Sequence, residues 1–321
     1  MNSARRAPAK QGKREGLENG SRLTDWRRLL VRCGRKPTRK RVHALRVVTL
    51  RVLADLEYRL AENGFEEAGA RVAVRWSKQA SKLRHVLSSV RAEDVWISKL
   101  DALRKALSTT EAYVPRSNRD CLRQIDVFED RLKQQRSGWE KKLVAEISDR
   151  RNRLEQLSQD IELAVEHCSS QPRSGSSDQI AEQFAAVADD FRSLDASNLH
   201  EFRKRIKKVR YLAEIFAATD PEAGRQAAVL RKMQSAIGEW HDWQELAAEA
   251  RGNKNKRREL AELLETLAAE SLEKALDLCQ RSKERLLAEV EHAGESEPPV
   301  PKKPPVQSAV SAAASGNRRH A

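Results

Sequence analysis

Apolar residues recur at i, i+3, i+4 and i+7 through nearly all of this 321-residue chain, and no stretch alternates β-branched with polar residues. That spacing lines one stripe of an α-helix, whereas a half-buried strand needs a period of two. The chain is therefore expected to be all-α. Three segments break the pattern: residues 1–22, SSQPRSGSSDQ at 169–179, and the Pro- and Ala-rich residues 293–321. The first and last are expected to be disordered, a basic arm and a tail. The middle break predicts a linker over 169–178 between a first helical half at 23–168 and a second at 179–292.

The first half predicts four helices: a run ending in RVLADLEYRL, GARVAVRWSKQASKLRHVLSSV, DVWISKLDALRKAL, and a charged stretch from Arg119 to about Glu166. The second predicts QIAEQFAAVADDFRSLD, LHEFRKRIKKVRYLAEIF, AGRQAAVLRKMQSAI, HDWQELAAEA and a long element from Lys254 to about Val290. The halves echo each other. His43-Ala-Leu-Arg46 opens one helix and His200-Glu-Phe-Arg203 another, and LRHVLSSVRAEDV aligns with MQSAIGEWHDWQE. In that alignment Lys82 falls opposite Lys232 and Arg91 opposite His241. A weak duplication of this kind predicts two related helical bundles facing each other.

Charge is concentrated. The formal net charge is +14, yet residues 1–60 hold 17 Lys/Arg against 5 Asp/Glu, a surplus of 12. Residues 200–210 add six cations against one anion, so the remainder of the chain is slightly acidic. Focused positive charge implies an anionic partner. On a helical wheel His200, Arg203, Lys207 and Arg210 fall on one arc beside an apolar stripe of Phe202, Ile206, Val209, Ala213 and Phe216. A row bordering a buried stripe can lay its stems on apolar surface and hold its heads in a groove. Glu214, one turn beyond Arg210, is placed to hold that guanidinium. The plainer reading of such a run, a solvated face, is weakened by the recurrence of His-x-x-Arg in the first half.

LHEFRKRIKKVRYLAEIF resembles the signature helix of the CHAD family, matching at His200, Arg203, Lys207, Arg210, Tyr211 and Glu214. VHALRVVTLRVLADL resembles the family's first-half helix at His43, Arg46, Val47 and Arg51. VRAEDV matches at Arg91, Asp94 and Val95, and LRKMQSAIGEWHD at Lys232, Gln234, Gly238, His241 and Asp242. The resemblance covers about residues 23–290. It implies two pseudo-symmetric halves of about four helices packed around a central basic groove that binds inorganic polyphosphate. The site it implies comprises His43, Arg46, Arg51, His200, Arg203, Lys207, Arg210 and Lys232, with Arg39 and Lys82 as supplementary cations. Leu50 and Leu53 depart from the family pattern by ending the first-half basic row, so the second half is expected to contribute more.

No apolar run is long enough for a membrane-spanning helix. The N-terminus lacks a secretory pattern, so a cytoplasmic protein is expected, at polyphosphate granules if the resemblance holds. Cys33, Cys121, Cys168 and Cys279 are scattered without a CxxC, which points to neither a metal nor a disulfide framework. The sequence contains no GxxxxGK[ST] loop, no HExxH and no carboxylate cluster with metal-ligand spacing, so a binder without cofactor or catalysis is expected. RNA is the rival partner, since its electrostatic footprint would be the same. Against it, only Tyr211 interleaves the basic row with an aromatic ring. Asp94 and Asp242 are expected near helix starts as caps, and Trp76, Trp96, Trp240 and Trp243 in the core.

Overall fold

The computed structural model describes residues 22–62, 64–108, 116–168, 193–252 and 257–294, with scattered positions between 180 and 191. Among them are seven α-helices and no strand: α1 (Arg22–Arg35), α2 (Arg39–Ala61), α3 (Glu67–Ser108), α4 (Arg116–Cys168), α5 (Leu199–Phe216), α6 (Pro221–Arg251) and α7 (Arg258–Gly294). The expected arm, linker and tail, and most of QIAEQFAAVADDFRSLD, lie outside the described residues. No helix is long and apolar enough to cross a membrane.

Local chemistry sets several of the boundaries. Thr38 caps α2, its side chain accepting from the Arg41 amide. Asp220 caps α6, accepting from the Glu222 and Ala223 amides at 2.8 and 3.2 Å, with Pro221 in the first turn. Two expected breaks do not exist. The segments at 69–90 and 94–107 are one helix, α3, and those at 223–237 and 241–250 are one helix, α6. Asp94 and Asp242 consequently sit in helix interiors and cap nothing. Asp94 is buried and accepts from Arg136 Nε at 2.8 Å, so a polar cluster that reads as a turn is neutralised inside a continuous helix. The basic α1 is not among the expected helices. Its Leu23, Trp26, Leu30 and Cys33 are nonetheless spaced to form one buried stripe.

Three apolar cores follow. The first joins α1, α2 and the N-terminal part of α3 to the C-terminal part of α4, around the edge-to-face pair Trp26–Trp76 at 5.0 Å. The second joins α5, the first part of α6 and the C-terminal part of α7 to Ile180, Val187 and Phe191. The third unites the far ends of the two long hairpins: Leu100 and Leu103 of α3, Ile125 and Phe128 of α4, Leu246 of α6, Leu260 and Leu264 of α7. Trp76 and Trp240 are buried core residues, and Trp96 and Trp243 pack against the third core, as expected. α2 also meets α5, and α3 meets α6 over a short stretch only. Between these crossings the chain leaves open space.

Candidate anion-binding site

The stripe on α5 behaves as its spacing requires: Phe202, Ile206, Val209, Ala213 and Phe216 are all buried. Anchoring that face turns the basic row toward α2, α3 and α6, which together enclose an open cavity of about 660 Å³. Every one of the four helices contributes cations. α2 supplies His43 and Arg46, α3 supplies His85 and Arg91, α5 supplies His200, Arg203 and Arg210, and α6 supplies Arg231 and His241. Glu239, Asp242 and Glu245 also line the cavity, so five arginines against three carboxylates leave +2 with every histidine neutral. No Phe, Tyr or Trp is among the lining residues.

The cations are close enough to repel one another. Arg46 donates from Nε to Ser88 Oγ at 3.2 Å, and its pKa is lowered chiefly by burial, with Arg203, Arg91 and Arg84 adding repulsion. Burial likewise lowers that of Arg203, whose Nε donates to the Gln234 carbonyl at 3.4 Å. The Arg203 guanidinium passes directly over Gly238, where a Cβ would stand 2.9 Å from Nη2. Lys207 is pushed down to about 8, first by burial and then by Arg203, Arg46, Arg84 and Arg210.

The histidines sit in the same field. His200 and His241 face each other with ring centroids 4.4 Å apart, and His241 Nε2 lies 3.2 Å from Glu245 Oε1. The pKa of His200 is lowered by burial, then by His241 and Lys204, and that of His43 by burial, then by Arg91 and Arg46. Nδ1 of both His200 and His241, Nε of Arg210 and Oε1 of Gln234 are buried without a hydrogen-bond partner. Buried polar groups are ordinarily satisfied, and these four belong to residues that line the cavity.

Glu214 organises one side. It accepts from Arg210 at 2.7 Å, from Arg231 at 2.8 Å and from Arg51 at 3.2 Å, tying α5 to α6 and to α2. Burial raises its pKa, but the bond from Arg231 and the charges of Arg210, Arg51 and Arg231 outweigh that and hold it below the usual carboxylate range.

Of the ten residues expected at the site, His43, Arg46, His200, Arg203 and Arg210 converge on this cavity. Lys207 lies at its border and faces a neighbouring cavity that also contains Leu50 and Leu53. Arg51 is engaged with Glu214 outside the cavity. Arg39 donates to the Asp94 carbonyl, near enough to Arg91 to repel it. Lys82 and Lys232 are exposed on α3 and α6 and line neither cavity. Arg91 and His241 were visible in the internal echo, whereas His85 and Arg231 carry a subtler signal. Each begins a ladder at i+3 and i+4, through Ser88 and Ser89 or through Gln234 and Ser235, that follows one face of its helix.

Comparisons with curated proteins and with solved structures return no significant match. A family model, the CHAD domain, matches residues 20–251, which takes in α1 through α6 and every residue lining the cavity. With well over half of its 321 residues matched, including all four helices that build the cationic cavity, the chain belongs to the CHAD family.

Proposed function

We propose that this chain binds inorganic polyphosphate, without cleaving it, in the cationic cavity. The reading treats α2–α3–α4 and α5–α6–α7 as two pseudo-symmetric halves. The contacts α2–α5, α3–α6 and α4–α7, each between equivalent helices, support that treatment. It makes the cavity a central groove shared by both halves. The observation that carries the proposal is the convergence of five arginines and four histidines from four helices on one open space.

Polyphosphate offers a row of oxyanions and no apolar surface, so charge-assisted hydrogen bonds must supply the affinity. Arginine gives paired donors to phosphate oxygens, and Lys207 at the border adds a mobile point charge. The non-catalytic part rests on the carboxylates. Glu245 is paired with His241 and Glu239 with Lys99, which leaves Asp242 without a second free carboxylate for holding a divalent ion. A protein acting in this way would work where polyphosphate accumulates, in cytoplasmic granules.

Binding of defined-length polyphosphate, measured by calorimetry on the full chain, tests the reading. Arg46→Gln and Arg203→Gln should each weaken it roughly tenfold or more, the worth of one charge-assisted bond. An RNA that displaces polyphosphate at physiological salt would favour the nucleic-acid reading instead. Release of orthophosphate above background with added magnesium would make the protein an enzyme.

A further inference from the structure

A second cavity, of about 650 Å³, opens between the C-terminal half of α2 and the flank of α5 that carries Lys204, Lys208, Leu212 and Ile215. Its walls differ in kind from those of the first: Leu50, Leu53, Ala54, Tyr58, Leu212 and Ile215 are among the residues that line it. Arg84 and Lys207 stand at one end. We propose that this cavity is a binding site for a single-tailed aliphatic anion, with a phosphate or carboxylate head at Arg84 and Lys207 and an alkyl tail along the leucines.

The charges around the cavity place the head group. Glu57, Glu62 and Glu182 line the cavity beside its four cations; Lys204 is paired with Glu201 at 2.7 Å, and Lys208 lies 3.6 Å from Glu57, so both surface lysines have a carboxylate nearby. Arg84 and Lys207 make no ion pair or hydrogen bond among the described residues. They repel each other and Arg46, so an anion between them relieves repulsion that nothing in the fold removes. The tail is placed by the walls. Five aliphatic side chains and one tyrosine exposed to a common space bind alkyl carbon by the same burial that builds a core. A space of this size lies within the usual range for small-molecule sites, roughly 300–1,000 Å³.

An aliphatic tail suits the site better than a nucleobase. Stacking requires a free aromatic face, and both tyrosines here are already engaged. The ring of Tyr58 meets Phe216 edge to face at 5.4 Å, and the Arg210 guanidinium lies 4.1 Å from the centroid of Tyr211. The site stands whether or not polyphosphate is the ligand of the first cavity, because no residue lines both cavities, and Lys207 is the one cation the two readings share.

Calorimetry on the full chain with dodecyl phosphate below its micellar concentration, beside methyl phosphate, tests this directly. Each buried methylene contributes roughly fourfold, so burying only three or four of the extra methylenes should make dodecyl phosphate bind at least about a hundredfold more tightly than methyl phosphate. Equal affinity for the two would overturn the proposal, as would tighter binding of adenosine monophosphate or binding only to phosphatidate vesicles. Ala54→Phe, which fills the cavity without removing a wall, should weaken dodecyl phosphate at least about tenfold and leave polyphosphate affinity within about twofold. If the folded variant keeps dodecyl phosphate, or loses both ligands together, the cavity is not a separate amphiphile site. Failure of polyphosphate to bind the unmodified protein would defeat the first reading and leave this one standing.

Discussion

Gly238 is the residue whose absence of a side chain matters most. It lies inside α6, where replacing glycine by alanine ordinarily stabilises a helix by about 0.5–1 kcal/mol. Here the added methyl would meet the Arg203 guanidinium at 2.9 Å. Gly238→Ala is therefore expected to keep or slightly raise the melting temperature while displacing Arg203 and weakening polyphosphate roughly tenfold, a split that paired calorimetry and thermal unfolding would read. Lys207 makes a second expectation, in pH. Its free-state pKa lies near 8, and a bound anion must raise it, so binding takes up a proton between the two values. The contribution of Lys207 is complete below about 8 and is lost as pH rises through the higher, bound value. Affinity should thus begin to fall above about pH 8, and Lys207→Arg should move that decline to higher pH. A profile unchanged by the substitution would remove Lys207 from the site.

At the scale of elements, Glu214 fastens α5 to α2 and α6 through three arginines. Glu214→Gln leaves those guanidiniums close together with their shared anion gone. Breaking a buried pair costs about 3–5 kcal/mol, and with Arg231 56% exposed we expect nearer 2 kcal/mol, measurable by denaturant unfolding. The same clasp separates the two basic rows. Arg51 and Arg210 both donate to Glu214, but Arg210 also lines the cavity while Arg51 lies outside it, and Lys207 has no carboxylate partner among the described residues. Lys207→Gln with Arg210→Gln should therefore weaken polyphosphate more than Arg46→Gln with Arg51→Gln, by roughly tenfold. Circular dichroism would confirm that both variants remain helical. Equal losses, or a larger loss from the Arg46 and Arg51 pair, would show that the site is not centred on α5.

For the whole molecule, cations from four helices make binding a many-contact electrostatic event. If six to ten phosphates are engaged, affinity should fall roughly 10³–10⁵-fold between 50 and 200 mM salt, by analogy with DNA. A titration series across salt gives the slope, and a slope near zero would refute counterion release as the driving term. The third apolar core bears on the same property, because α3 and α6 meet only briefly elsewhere and their far ends are held together there. That arrangement keeps the two sets of cations at a fixed separation against their own repulsion.

The period of the apolar residues alone determined that the chain is helical, and the wheel of α5 determined which of its residues are buried and which form the basic row. His200, Arg203 and Arg210 could be chosen from that pattern because one helix face is a local property, and His43 and Arg46 from the repeated His-x-x-Arg and the family resemblance. What local pattern could not decide was where a helix continues. The cluster Arg91-Ala92-Glu93-Asp94 reads as a break, and it stays helical because Arg136, 42 residues along the chain, neutralises Asp94. Nor could it show which cations are already satisfied. Arg51 matches the family's first-half helix and is taken by Glu214, 163 residues away, while Lys82 and Lys232 align with each other and face solvent outside the cavity. The second cavity was legible only as two leucines in an unexpected place. Most of its lining comes from α2 and α5, more than a hundred residues apart, with Arg84 from α3, and only packing sets those walls facing one another.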